Sequence, residues 1–322
     1  MIRALLLLLL ALSSVEGLLP AAPPGGDGVY VGVGYGGRRL VSKDGVAWEI
    51  SEEWAVDGKD DSNNLISIAY GRGVFVAVGG GGWTRETQAG HILVSKDGRA
   101  WTEVKKVANR VNPVIFGGGR FVAGASDKTL LWSEDGETWK DGGKIEYKDW
   151  AFWFRRGAYG NGTFLLLGNH GKDQKAYWAA VSKNGETVDH FEKDLPVFNG
   201  LAFGAGLFVG VGAEGLVLTS KDGRDWQKQT VADAGDFQQL AWTPKGFVAV
   251  AKKGAFASAD GLTWTPLPKR VPCHILWADE KISIGTTWPG QMWSSTDGAE
   301  WTKGAKMTPN GMNQVVYGAG TK

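Results

Sequence analysis

The chain has 322 residues, 43% of them apolar, with 35 Lys and Arg against 34 Asp and Glu. This length and apolar content suit one large core, and the near-neutral balance excludes nucleic acid as the main partner, because no strong field would draw a polyanion. With 49 Gly and 16 Trp, the composition points to many short strands joined by tight turns.

Residues 1–17, "MIRALLLLLLALSSVEG", carry one early positive charge, an apolar run from Ala4 to Leu12 and then small residues. That is the layout of a secretory signal peptide, with a run too short for a stable membrane anchor. Cleavage is expected after Gly17, so the protein is expected to be secreted or periplasmic, with no membrane attachment once the signal is removed. Residues 18–27 read as a flexible lead-in. Cys273 is the only cysteine, so the exported chain is expected to fold without an internal disulfide.

From residue 28 onward a phrase returns: "SKDGVAW" (Ser42 to Trp48), "SKDGRAW" (Ser95 to Trp101), "SEDGETW" (Ser133 to Trp139) and four more. Its acidic position is Asp44, Asp97, Asp135, Asn184, Asp222, Asp260 and Asp297, at spacings of 53, 38, 49, 38, 38 and 37 residues. A period near 38 matches one four-stranded blade. Within each unit four apolar segments, A to D, are separated by Gly-rich turns, as in "LISIAYG", "VFVAVG", "HILVS" and "WTEV". The "DG" pair between two β segments predicts a hairpin joining C to D. Its Trp would then pack between neighbouring blades.

The chain's ends are complementary. "MNQVVYGAGTK" is a lone strand A, whereas "GVYVGVGYGGRRLVSKDG" begins at strand B. Pairing them completes one unit and leaves no open blade at the seam. The sequence therefore predicts an all-β, seven-bladed β-propeller over residues 28–322. Its blades are four-stranded, and the C-terminal strand closes the ring on the N-terminal blade.

On "SKDGVAW", "SEDGETW" and "SADGLTW" (Ser258 to Trp264), the chain resembles Asp-box (BNR-type) repeat propellers of the sialidase-like superfamily. "AYGRGVFVAVGGGG" and "AYGNGTFLLLG" look like the extended repeat of exported bacterial propeller proteins and, more distantly, of photosystem II assembly-factor propellers. The resemblance implies the fold and says little about function. Asp and Gly are adjacent here rather than separated by one residue, and "SKNGETV" (Ser182 to Val188) lacks both Asp and Trp. A sialidase would need an arginine cluster, a Tyr–Glu pair and an acid Asp. No segment aligns with that set, so no catalytic residue is assigned.

Seven copies around a ring cannot be one active centre, so the phrase is read as structural. Chemistry is expected on the opposite face, with its B–C and D–A loops. Two units carry long insertions there, at residues 51–64 with 79–91 and 141–157 with 168–179; they hold Trp54, Trp83, Trp150, Trp153, Tyr177, Trp178, His91 and His170. The starts of the A strands add a polar ring around the central channel: Ser67, Asn112, Arg155, Arg156, Asn199, Gln238, Gln239, His274, Asn313 and Gln314. Asn and Gln there can satisfy backbone groups. Two adjacent arginines are costly unless they pair or meet an anion.

The candidate ligand-binding residues are Trp83, Arg85, Trp153, Arg155, Arg156, His170 and Trp178. "GVGYGG" (Gly32 to Gly37) ends a strand with no helix after it, so it is not a dinucleotide loop. "DGKDDSNN" (Asp57 to Asn64) lacks an ordered Ca²⁺ ligand pattern, and the four His show no zinc spacing. No cofactor or metal is expected. The reading is an exported, monomeric, non-catalytic propeller that binds a glycan, an anionic ligand or a protein. The alternative is a sialidase-like glycoside hydrolase or polysaccharide lyase using two carboxylates, such as Asp149 or Asp173, on the loop-rich face.

Overall fold

A computed structural model describes residues 28–54, 63–81, 89–148, 152–170 and 176–319. Residues 1–27, where the signal peptide and lead-in are expected, lie outside them. The described residues form seven four-stranded antiparallel sheets arranged as the blades of a propeller. Blade 1 consists of Met312–Gly318, Val29–Gly34, Arg39–Ser42 and Glu49–Glu52, in that spatial order. The closure expected from the two ends is present. Tyr30 lies opposite Tyr317 and Val31 opposite Val316, and the two tyrosine rings sit 4.8 Å apart.

The apolar core lies between the blades. Among the described residues there are seven buried clusters, and each joins two successive blades. One packs Val76, Val78 and Ile92 of blade 2 on Phe121, Ala123 and Leu131 of blade 3. Another packs Ile284 and Met292 of blade 7 on Tyr30, Leu40 and Val315 of blade 1. Strands alternate their side chains, so each blade has two apolar faces and needs a neighbour on both.

The repeated phrase is a hydrogen-bonded stitch. In blade 3, Oδ1 of Asp135 accepts the backbone N–H groups of Glu137 (2.8 Å) and Thr138 (2.7 Å) and the hydroxyl of Ser133 (2.9 Å). The Gly136 N–H donates to Ser133 Oγ (2.8 Å), and the Trp139 indole donates to the Gly136 carbonyl (2.7 Å). The glycine has φ +84°, and a Cβ there would lie 2.9 Å from Val76 of the preceding blade. Both the left-handed turn and the close approach therefore require glycine. Blade 4 keeps the hairpin with Asn184, whose Oδ1 accepts the N–H groups of Glu186 (2.9 Å) and Thr187 (3.0 Å). The same Ser–Asp–Gly hydrogen bonds recur at Asp44, Asp97, Asp222, Asp260 and Asp297.

Cys273 is free and buried, and burial pushes its thiol up to about 12.

Deleting residues 312–322 removes the innermost strand of blade 1 and strips Val29–Gly34 of its backbone partners on that edge, leaving only its pairing with Arg39–Ser42. We expect a loss of several kcal/mol from unpaired buried backbone groups and lost apolar burial. A melting temperature within a degree or two of the full-length protein would refute this role for the seam.

The phrase also sets an acid limit. Backbone N–H donors hold the carboxyls of Asp44, Asp222, Asp260 and Asp297 below the ordinary value, and N–H groups with the phrase serine outweigh desolvation at Asp97 and Asp135. Their folded-state values lie below the unfolded ones. The linked stability is therefore complete above about pH 4 and lost as pH falls through the depressed values. Replacing Asp97, Asp135 and Asp222 together with Asn, the residue blade 4 already uses, should make the acid melting curve shallower. An unchanged slope would show that other carboxyls set the limit.

Candidate functional site

The seven inner strands enclose a central cavity of about 920 Å³. Five inner strands break register near their loop-face start, between Leu65 and Ser67, Val111 and Val114, Phe154 and Arg156, Phe237 and Gln239, and Ile275 and Trp277. In blade 1 the pairing of Val29–Gly34 with Met312–Gly318 shifts as well, leaving Asn313 extra. A bulge adds one residue and re-aims its side chain. This is how consecutive residues such as Arg155 and Arg156, or Gln238 and Gln239, come to line the same cavity.

Most of the polar ring is committed to holding blades together. Gln314 Oε1 accepts the Ser67 hydroxyl (2.9 Å) and the Ile68 N–H (3.2 Å) of blade 2. Ser67 Oγ in turn accepts the Val114 N–H of blade 3 (3.1 Å). The Asn112 amide donates to the carbonyls of Phe154 and Arg155 in blade 4 (both 3.2 Å). The Asn199 amide donates to Phe237 O (2.8 Å), Gln239 brackets the peptide of Ile275, and Asn313 donates to Leu65 O (2.7 Å). Each bond runs from one blade to the next, and all but the Ser67–Gln314 side-chain bond occupy a backbone group that the inner strand's open edge would otherwise leave unpaired.

Arg155, Arg156 and His274 add cationic or titratable side chains to the same cavity. Arg155 Nε donates to Asn169 Oδ1 (2.9 Å), with its guanidinium 6.0 Å from the Trp153 ring. Arg156 Nη2 donates to the Asn199 carbonyl. Both side chains are exposed to the cavity while protein surrounds them on the other sides, so desolvation lowers the affinity of each guanidinium for its proton. Arg110 adds repulsion on Arg155, Arg155 adds it on Arg156, and Tyr177 opposes the shift in both. His274 lies across the cavity; burial first, and then the Arg156 charge, push its imidazole below the usual value.

At the other end of the same cavity stand Asp279 and Glu280. Asp279 is fully engaged. Its Oδ2 accepts the Tyr30 hydroxyl (2.9 Å) and the Trp277 indole (3.0 Å), and its Oδ1 accepts the N–H groups of Lys281 (2.8 Å) and Ile282 (2.9 Å). The cavity therefore runs from a cationic loop-face mouth to an acidic floor.

The other candidates scatter. Trp153 is half-buried beside Arg155. Trp178 is 0% exposed, packed edge-on to Phe154 at 4.9 Å, and belongs to the core of blade 4 rather than to a ligand surface. His170 is buried beneath Tyr147, whose hydroxyl lies 3.1 Å from Nδ1. Trp83, Arg85, Trp150, Asp149 and Asp173 lie outside the described residues. Trp288, which lies outside the long insertions, is 68% exposed at a short blade 7 turn and lines the cavity. Its ring meets Tyr35 of blade 1 edge-on at 5.9 Å. The signal was a large aromatic inside a "WPG" turn, where no strand can bury it. Among the described residues, no three His, Cys, Asp or Glu side chains converge as a metal site.

No family model matches the chain, and no curated protein matches it. Solved structures do resemble it in fold. YCF48 from Cyanidioschyzon merolae aligns with a TM-score of 0.52 at 15% identity, covering 74% of this chain and 84% of that one. A YCF48 bound to a D1 peptide aligns at 0.54 and 19%, covering 74% and 81%. A chain from a nidogen/laminin complex aligns at 0.51 and 8%, covering 90% and 98%. At such identities the likeness is one of propeller fold. The Asp-box resemblance rests on the residues of the phrase alone.

His274 gives the mouth a pH response. With its folded value depressed, it is neutral at pH 7, and an anion bound beside it would favour the protonated form. Binding of an anionic ligand should therefore take up a proton and tighten as pH falls from 7 towards 5. His274→Gln should flatten this dependence at unchanged ionic strength. The same pH profile in both proteins would remove His274 from the site.

Proposed function

We propose that this protein is an exported, non-catalytic propeller that binds an acidic segment of a protein partner at the loop-face mouth of its channel. The observation that carries the reading is the bulged start of Phe152–Gly160, which presents Arg155 and Arg156 together to a cavity large enough for several side chains. Guanidinium groups pair with carboxylates through charge-assisted hydrogen bonds. The exposed Trp288 offers an apolar face on the same cavity. Two fold neighbours are complexes, YCF48 with a D1 peptide and nidogen with laminin, and at this distance they support the reading by analogy only. Export rests on the leader-like residues 1–17.

The binding reading is favoured over hydrolysis because glycoside chemistry needs two available carboxyls. Among the described residues lining the cavity, Asp279 is occupied by four donors and Glu280 is the remaining carboxylate.

The test is titration with a fluorescent Asp- and Glu-rich peptide and a Lys-rich peptide of equal length. The acidic peptide should bind and the basic one should not. Arg155→Gln with Arg156→Gln should weaken the acidic peptide by about 1.5–3 kcal/mol, roughly ten- to a hundredfold, with melting followed in parallel because Arg156 also holds Asn199. Equal affinity in a folded double variant would refute the arginine mouth.

A further inference from the structure

A second cavity of about 360 Å³ lies away from the channel, between the outer strands of blades 1 and 2. At its wall is Arg39, on Arg39–Ser42, with 0% exposure. Its guanidinium lies 4.9 Å from the Trp54 ring, and Nη1 stands 3.5 Å from Glu52 Oε2. Nε and Nη2 are buried and have no hydrogen-bond partner among the described residues. These two atoms form one edge of the planar fork. Orphaned buried donors are rare and costly, and a charged pair on one edge is more so.

The surroundings hold this arginine in place. A Cβ on Gly37 would come within 2.2 Å of the Trp54 ring, so only glycine lets Trp54 lie where it does. The Trp54 N–H donates to the Gly36 carbonyl (2.9 Å), and its ring stacks obliquely on His91 at 4.9 Å. Leu93 and Trp101 add apolar lining. The charged groups facing the cavity are Arg39 and Lys106 against Glu52 and Glu103, with His91 beside them. Glu103 already meets His91 and Lys106.

We propose that this inter-blade cavity binds an organic carboxylate, gripped bidentately by the Nε–Nη2 edge of Arg39, with its apolar body against Trp54 and Trp101. The two oxygens of a carboxylate match the spacing of the two N–H groups along that edge. A monoanion suits the nearly balanced local charge, whereas a phosphate dianion would face Glu52 and Glu103. The cavity volume exceeds what a carboxylate group alone fills, which leaves room for the body of the acid. The site is independent of the channel mouth and shares no residue with it.

The experiment observes Arg39 directly. In a ¹H–¹⁵N spectrum of arginine Nε–H groups, the Arg39 signal is assigned through its own side-chain and backbone connections and by its loss in Arg39→Lys. It should shift saturably with sodium acetate and at lower concentration with sodium phenylacetate. It should stay still with phenylacetamide, which has the same body without the charge, and with sodium chloride at equal ionic strength. A signal unmoved by both carboxylates, or moved equally by chloride, would overturn the proposal. Because a buried arginine's replacement can disturb folding, Glu52→Gln serves as a second variant. It keeps Arg39 and removes the nearest competing carboxylate, so acetate should bind several-fold more tightly; unchanged or weaker binding counts against the site. Free carboxylic acids and chain-borne ones are then separated with an acetylated dipeptide in its free-acid and amidated forms: binding of the free acid alone assigns a chain terminus, and binding of neither restricts the site to small acids.

Discussion

A four-stranded blade cannot cover its own two faces, and everything else in this protein follows from that. Burial on the order of 25 cal/mol per Å² is gained only where one blade meets the next, so all seven interfaces must close together. The clusters bear this out: Val76 and Phe121 share one core, Leu165 and Phe208 another, and Ile284 and Leu40 the last. The pairing of Met312–Gly318 with Val29–Gly34 belongs to the same requirement, because an unpaired blade would expose both a strand edge and an apolar face.

Closing a ring leaves one edge unsatisfied. Seven inner strands converge on the channel, and each presents backbone groups that no fifth strand can reach. The structure meets this with side chains from the preceding blade, Gln314 to Ile68, Asn112 to Phe154 and Arg155, Asn199 to Phe237, and Gln239 to Ile275. The cavity's positive charge is concentrated on blade 4 of this ring. Arg155 lies on the bulge and reaches into the cavity, and Arg156 gives only one edge to Asn199.

How much of this was legible in the sequence depends on periodicity. The phrase, its period and the complementary ends all recur or match, and a reader can align one copy against another. Seven blades and the seam were therefore readable. The polar ring was readable for the same reason, because the aromatic slot at Tyr70, Phe116 and Tyr159 fixes a common register. Its purpose was not readable, since an Asn that bonds a neighbouring backbone and an Asn that awaits a ligand have the same letter. Trp178 and Trp288 show the same limit from opposite sides. The first sat in a long insertion yet is buried, because Gly168 opens a space that a Cβ would close to 2.2 Å. The second sat in a short turn yet is exposed.

Blade 4 departs furthest from the repeat. It alone loses both the phrase aspartate and the phrase tryptophan, with Asn184 and Val188 in their places. The hairpin is rescued locally: Asp189 accepts the Lys183 N–H (2.6 Å) and the Thr187 hydroxyl (3.0 Å). The missing indole is compensated at the other end of the blade, where Trp178 packs among Phe154, Phe191 and Leu166. Core volume has thus moved from the hairpin face towards the loop face. Phe154, which Trp178 braces, is the residue immediately before Arg155, and its carbonyl receives the Asn112 amide. The departure from the repeat in this blade therefore coincides with extra support beneath its two arginines.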